Sequence, residues 1–121
     1  YVASEITKNG GVAICAPIAP YQYDRQVNKE LITKYGGYVE VSVNTSIEKC
    51  EERDSKGLYK LARAGKLKSF TGVSDPYETP SNPDIILNSD GTIPPEDLVN
   101  RIFGLLIQLG YVKMDNLKLK K

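Results

Sequence analysis

The chain is 121 residues long, 40% hydrophobic and 26% charged, which fits one folded domain or part of one and not a disordered segment. Sixteen Lys+Arg against fifteen Asp+Glu leave a net charge of +1, which argues against a general nucleic-acid or membrane-surface binder. Histidine is absent and there are two cysteines, so His-based triads, zinc sites and disulfide scaffolds are excluded and a reducing, cytoplasmic setting is expected.

Tyr1 to Asn9 reads as the end of a helix, with Val2, Ala3 and Ile6 on one face and Asn9-Gly10-Gly11 as its stop. The chain opens on Tyr1 and not Met, so it is expected to be a piece of a longer protein. Gly11 to Ala16 is a continuous apolar run, expected to be a strand buried on both faces. Pro17-Ile18-Ala19-Pro20 is then a loop. Tyr21 to Tyr35 reads as an amphipathic helix with Val27, Leu31 and Tyr35 in line, ended by Gly36-Gly37. Tyr38 to Asn44 is a second strand, with Val39, Val41 and Val43 on one face. Thr45 stands three residues before Glu48, the spacing of a capping box, so a helix should start there. Leu58 to Ala64 is a short helix closed by Gly65, and Ile85-Ile86-Leu87 is a third buried strand. Pro94-Pro95-Glu96-Asp97 opens a last helix with Leu98, Ile102, Leu105, Leu106 and Leu109 on its core face and Gly110 as its stop. Met114 to Lys121 is expected to be a frayed basic tail. No apolar run approaches the ~20 residues of a membrane span. Strands separated by helices predict an α/β domain with a parallel sheet.

Charge is unevenly spread. Lys56 to Gly72 holds five cations and no acid, whereas Ser69 to Asn100 holds six acids and no cation. The cationic stretch contains Gly57, Gly65 and Gly72. It is either a mobile lid over a phosphorylated small molecule or a solvated helix face. The Pro17–Pro20 loop leaves a predicted strand at its carboxyl end, where open α/β sheets hold ligands, or it is an ordinary turn. Phe70 lies in a polar, glycine-flanked loop and either stacks on a base or packs beneath the loop. Arg53 and Lys56 are three residues apart and can face one pocket or form surface ion pairs. Cys15 and Cys50 read as small buried apolar residues, with nothing to mark either as a nucleophile.

Five blocks occur in a recognisable order: Ala16–Tyr21, Asp24-Arg25, Cys50–Asp54, Lys56–Gly65 and Phe70–Glu78. Together they resemble adenylyl-sulfate kinase (APS kinase), over about Tyr1 to Tyr111. That resemblance implies a P-loop NTPase-like three-layer α/β fold with a parallel sheet, and transfer of the γ-phosphoryl of ATP to the 3′-hydroxyl of adenosine 5′-phosphosulfate (APS). The product is 3′-phosphoadenosine 5′-phosphosulfate (PAPS). The version Ala16-Pro17-Ile18-Ala19-Pro20-Tyr21 resembles kinase domains fused to ATP sulfurylase. By the same resemblance Ile18, Ala19, Lys56, Ser69 and Phe70 contact APS, while Arg53, Arg63 and Thr92 serve ATP. A homo-oligomer is expected, as is Mg²⁺ arriving with ATP. No residue of these 121 is assigned a catalytic or metal-binding role.

Two departures from the family pattern matter. Ala19 stands where many members carry Ser, so no phosphoryl group can be carried there. The chain also holds no G-x-x-x-x-G-K-[ST] motif, the loop that cradles phosphates and supplies a Mg²⁺ ligand. Residues 1–112 are therefore expected to be the C-terminal part of a kinase domain without its P-loop portion, followed by a tail over 113–121. Alone, they are expected to make no PAPS. The alternatives are a non-catalytic, regulatory PAPS-binding domain attached to ATP sulfurylase, or another nucleotide kinase of the same fold.

Overall fold

The computed structural model describes residues 1–113. Its elements are α1 (Val2–Lys8), α2 (Gln22–Ile32), β1 (Val41–Asn44), α3 (Ile47–Arg53), α4 (Leu58–Arg63), β2 (Ile85–Asn88) and α5 (Pro95–Gln108). They fall into two compact units. The first comprises Tyr1–Tyr38 and Ile47–Asn82; the second comprises Val39–Ser46 and the described residues from Pro83 to 113.

In the second unit β1 and β2 run parallel, with Val41 opposite Ile85 and Asn44 opposite Asn88. Side chains finish the ladder at both ends. The Glu40 amide donates to Asp84 Oδ2 at 2.7 Å before the strands, and the Thr45 hydroxyl donates to the Ser89 carbonyl at 3.0 Å after them. Leu87 and Leu98 are buried, which places the core of this unit between β2 and α5. Pro94 and Pro95 preset the first turn of α5, and Glu96 and Asp97 complement its dipole. Gly110 follows the helix with φ of 75°, a left-handed value that suits glycine.

In the first unit α1 packs against α2. Between α3 and α4 the chain turns through Gly57, whose φ is 66°. Asp54 Oδ2 accepts the Lys60 amide at 3.0 Å, so an acid from outside α4 satisfies one of its first-turn donors. Here the buried residues include Ala62, Ser4 and Arg25.

The expected strand over 11–16 is not formed. Val12 is 85% exposed and Ile14 94%, and no described residue pairs with the run in the one two-stranded sheet; Cys15, expected to be buried, is therefore exposed, and Cys50 is only half-buried. A strand is held by its neighbour's backbone as well as its own pattern. Gly11 instead donates to the Ile6 carbonyl at 2.9 Å and so closes α1. The valine face of β1 is also reversed. Ser42 is the buried residue at 4% exposure, while Val43 is exposed. In β2 the exposed Ile86 alternates with buried Leu87, so the apolar trio is not buried throughout. On α1 the buried position is Ser4, whose hydroxyl donates to the Tyr1 carbonyl at 2.6 Å, and Val2 and Ile6 are exposed. α3 starts where expected, but Thr45 bonds Ser89. The predicted tail from Met114 lies outside the described residues.

Candidate functional site

A cavity of about 300 Å³ opens in the first unit at the corner between α3 and α4. Cys50 and Arg53, three residues apart, share the face of α3 that lines it. The linker adds Asp54, Ser55 and Lys56; α4 adds Leu58 and Tyr59; Phe70 completes the wall. Three residues singled out in the sequence, Arg53, Lys56 and Phe70, are thus brought together. The Lys56 ammonium has no ion pair among the described residues, which leaves a compact charge beside an aromatic ring.

Phe70 is held from two sides. Its ring meets Tyr59 edge to face, with centroids 5.0 Å apart and planes at 77°. Its carbonyl accepts the amides of Val73, Ser74 and Asp75 at 3.0–3.1 Å, and its amide donates to Ser74 Oγ at 2.9 Å. Such a turn is stiff. Burial, and after it a hydrogen bond with Cys50, push the Tyr59 phenol above its usual pKa. Tyr59 and Cys50 are wall residues that charge and loop reasoning missed. The signal lay in the spacing of Cys50 from Arg53.

Two non-glycine residues have positive φ among the described residues, Ala19 at 44° and Ser69 at 52°. Both belong to the set expected to meet APS. Left-handed backbone at non-glycine residues is costly and clusters at ligand sites. Ser69 directly precedes Phe70. Ala19 lies in the other loop, together with the exposed Ile18, and its carbonyl accepts Arg25 Nη1 at 2.6 Å.

Arg25 is 6% exposed. Its Nη2 donates to the Glu78 carbonyl at 2.6 Å and to Gln22 Oε1 at 2.8 Å. The Glu78 amide donates back to the Pro20 carbonyl at 2.8 Å, and Glu78 Oε2 accepts the Gln22 amide at 2.6 Å. The Tyr21 hydroxyl reaches Asp75 Oδ2 at 3.4 Å, and the charge of Asp75 is the main cause of a raised phenol pKa there. The expected site residues Ile18 and Ala19 are therefore tied to the segment that carries Phe70.

The remaining two are placed elsewhere. Arg63 Nε donates to Glu51 Oε1 at 2.8 Å, pairing α4 with α3. Thr92 belongs to the second unit, where its amide and hydroxyl donate to Asp90 Oδ1 at 2.9 and 2.7 Å. Among the described residues no group of three or more His, Cys, Asp or Glu could hold a metal ion. No described helix is long and apolar enough to cross a membrane.

Comparison with known proteins gives one consistent result. The family model for adenylylsulphate kinase matches residues 1–88. A sulfate adenylyltransferase of Chaetomium globosum is 46% identical over 110 residues, covering 91% of this chain and 19% of that protein. An adenylyl-sulfate kinase of Halothermothrix orenii is 42% identical over 114 residues, covering 94% of this chain and 60% of that one. Among solved structures, the Mycobacterium tuberculosis APS kinase CysC in complex with AMPPNP and APS superposes with a TM-score of 0.78. That match is 30% identical and covers 88% of this chain and 61% of the other. The chain thus spans about 60% of the kinase relatives' length and about one fifth of the sulfate adenylyltransferase's. With its parallel sheet, the α/β fold is that of the APS kinases, which is a P-loop NTPase fold. Both the family model and these likenesses cover most of the residues described above, and this chain belongs to the adenylylsulphate kinase family.

Proposed function

We propose that the protein carrying this chain converts ATP and APS to ADP and PAPS. The bond from the γ-phosphorus to its bridging oxygen breaks, a bond to the APS 3′-oxygen forms, and the 3′-hydroxyl proton is released. The observation that carries this reading is the meeting of Arg53, Lys56 and Phe70 in one cavity of a chain from this family. In this reading Phe70 stacks on the APS adenine, and Lys56 meets a polar or anionic edge of APS. Ser69, Ile18 and Ala19 lie against the same nucleotide. Arg53 packs its planar guanidinium on the ATP base, Arg63 serves ATP beside it, and Thr92 is assigned to ATP by the family resemblance alone. These residues act by positioning and electrostatics, with no covalent intermediate.

Mg²⁺ in this reading accompanies the phosphates of ATP. Residues 1–112 serve as part of the kinase domain of a homo-oligomer. It works in the cytoplasm, where thiols such as Cys15 and Cys50 stay free. A second reading, a PAPS-binding regulatory domain joined to an ATP sulfurylase, is favoured by the sulfate adenylyltransferase likeness and by Ala19. The test is to incubate the full-length gene product with ATP, Mg²⁺ and APS and to separate the nucleotides. Stoichiometric ADP and PAPS support the kinase. Tight PAPS binding without turnover supports the regulatory domain. Neither turnover nor binding of any of these nucleotides overturns both.

A further inference from the structure

We propose that Arg25 and Glu78 form a clasp that sets the spacing between the Ala19 loop and Phe70, and thereby governs affinity for APS but not for ATP. The proposal rests on the reading above that these two segments form the APS side.

Four links join the segments across more than fifty residues of chain, and a fifth bonds Arg25 to Ala19 within its own segment. Arg25 donates to the Ala19 carbonyl and to the Glu78 carbonyl, both at 2.6 Å. Glu78 returns its amide to the Pro20 carbonyl at 2.8 Å and its carboxylate to the Gln22 amide at 2.6 Å. The guanidinium also lies 5.9 Å from the centroid of the Tyr77 ring. One planar fork thus bonds two carbonyls that belong to different walls. An ammonium has no such fixed fork.

The clasp has something to transmit. At one wall it holds Ala19 in a left-handed conformation that alanine does not favour. At the other, Glu78 is joined to Phe70 through the stiff turn over 70–75 and through Pro76, whose ring fixes φ. A shift at Glu78 is carried to Phe70 with little slack. Arg53 stands on α3, outside the two segments that the clasp joins, so the ATP side is left in place. Arg25 is a positioning residue in this scheme and touches no reacting atom.

The experiment uses the full-length gene product and the variants Arg25→Lys, Glu78→Ala and Glu78→Gln. Calorimetric titration gives the affinity for APS and, separately, for ATP. Arg25→Lys is expected to weaken APS about tenfold or more, toward the ~100-fold loss that an ångström of misplacement brings, with ATP unchanged. Glu78→Ala should shift APS in the same direction, and Glu78→Gln, which keeps an acceptor for the Gln22 amide, should restore most of it. A merely structural arginine would lower affinity for both nucleotides alike or for neither, and either result overturns the clasp. If Arg25→Lys fails to fold, the exposed Glu78 variants decide alone, and unchanged APS affinity in Glu78→Ala overturns the proposal. If the wild-type protein binds no APS, the functional reading fails. The clasp is then judged by amide exchange at Gln22 and Glu78, where faster exchange in the variants supports it and unchanged exchange sinks it.

Discussion

Arg25 and Lys56 are cations of the same unit in opposite surroundings. Arg25 is buried, and its fork is bonded to the Ala19 and Glu78 carbonyls and to the Gln22 side chain. Lys56 is exposed, lines the cavity with Arg53 and Phe70, and has no ion pair among the described residues. A buried cation whose two terminal nitrogens are bonded to neighbouring carbonyls holds backbone in place, so its loss costs stability first. An exposed, unpaired cation contributes little to the fold and keeps its charge for a ligand. Stability and affinity measurements should therefore separate the two.

The largest expected effect is on folding. Arg25→Ala leaves three acceptors without a charged donor, at about 1.5–3 kcal/mol for each such bond. Relief of the guanidinium's own desolvation offsets part of this. A net loss of about 2–4 kcal/mol follows, against about 0.5 kcal/mol or less for Lys56→Ala. Guanidinium chloride unfolding measures it, as a lower midpoint at constant slope. Equal losses in the two variants would break the comparison.

Phe70→Ala sharpens it from the other side. Stacking on a base is worth roughly 1–3 kcal/mol, which is about a 5- to 150-fold loss of APS affinity. The same substitution removes the edge-to-face contact with Tyr59, for about 0.5–1.5 kcal/mol of stability. Titration of each nucleotide separates the two roles. Unchanged APS affinity with lowered stability would leave Phe70 as Tyr59's packing partner and nothing more.

A smaller, more selective effect is expected at the cavity rim. Lys56→Ala should raise the Michaelis constant for APS about fivefold, the effect of about 1 kcal/mol for a solvent-screened charge contact. Arg53→Ala should raise that for ATP about two- to fivefold, the scale of an exposed cation–π contact. Steady-state kinetics with each nucleotide varied in turn checks both. Two variants with the same profile would remove the separate roles.

The helices were readable where local signals end them. Pro94-Pro95-Glu96-Asp97 and Gly110 mark α5, and Gly65 closes α4, each by backbone preferences that act within a few residues. The run over 11–16 was misread because a strand depends on a partner edge that the run itself does not encode. Arg53 and Lys56 were readable as residues able to face one pocket from their charge and helix spacing, and Phe70 as a separate, out-of-place loop aromatic; that one cavity holds all three was not. Nor was Arg25. In an amphipathic helix an arginine reads as a solvated residue, and two of its partners are backbone carbonyls at Ala19 and Glu78, which any residue offers. Nothing in the identity of residues 6 and 53 positions away marks such a bond.

Arg63 lies between the two kinds of cation and carries the smallest expected effect. It donates through Nε and Nη2 to one Glu51 oxygen, at 2.8 and 2.5 Å. Its side chain is 54% exposed and that of Glu51 33%, so the pair is worth about 0.2–1 kcal/mol and weakens with salt. The family resemblance gives Arg63 an ATP-side role, which requires it to leave Glu51. The two substitutions then act on ATP in opposite senses. Arg63→Ala should raise the Michaelis constant for ATP about two- to fivefold. Glu51→Gln, which releases Arg63, should lower it by a similar or smaller factor, while both variants lose comparable stability. If Arg63 serves only to join α4 to α3, both variants lose that stability and neither changes the ATP constant. A flat response in both, or a change in the same direction, would group Arg63 with Arg25 as a cation of structure and not of ligand.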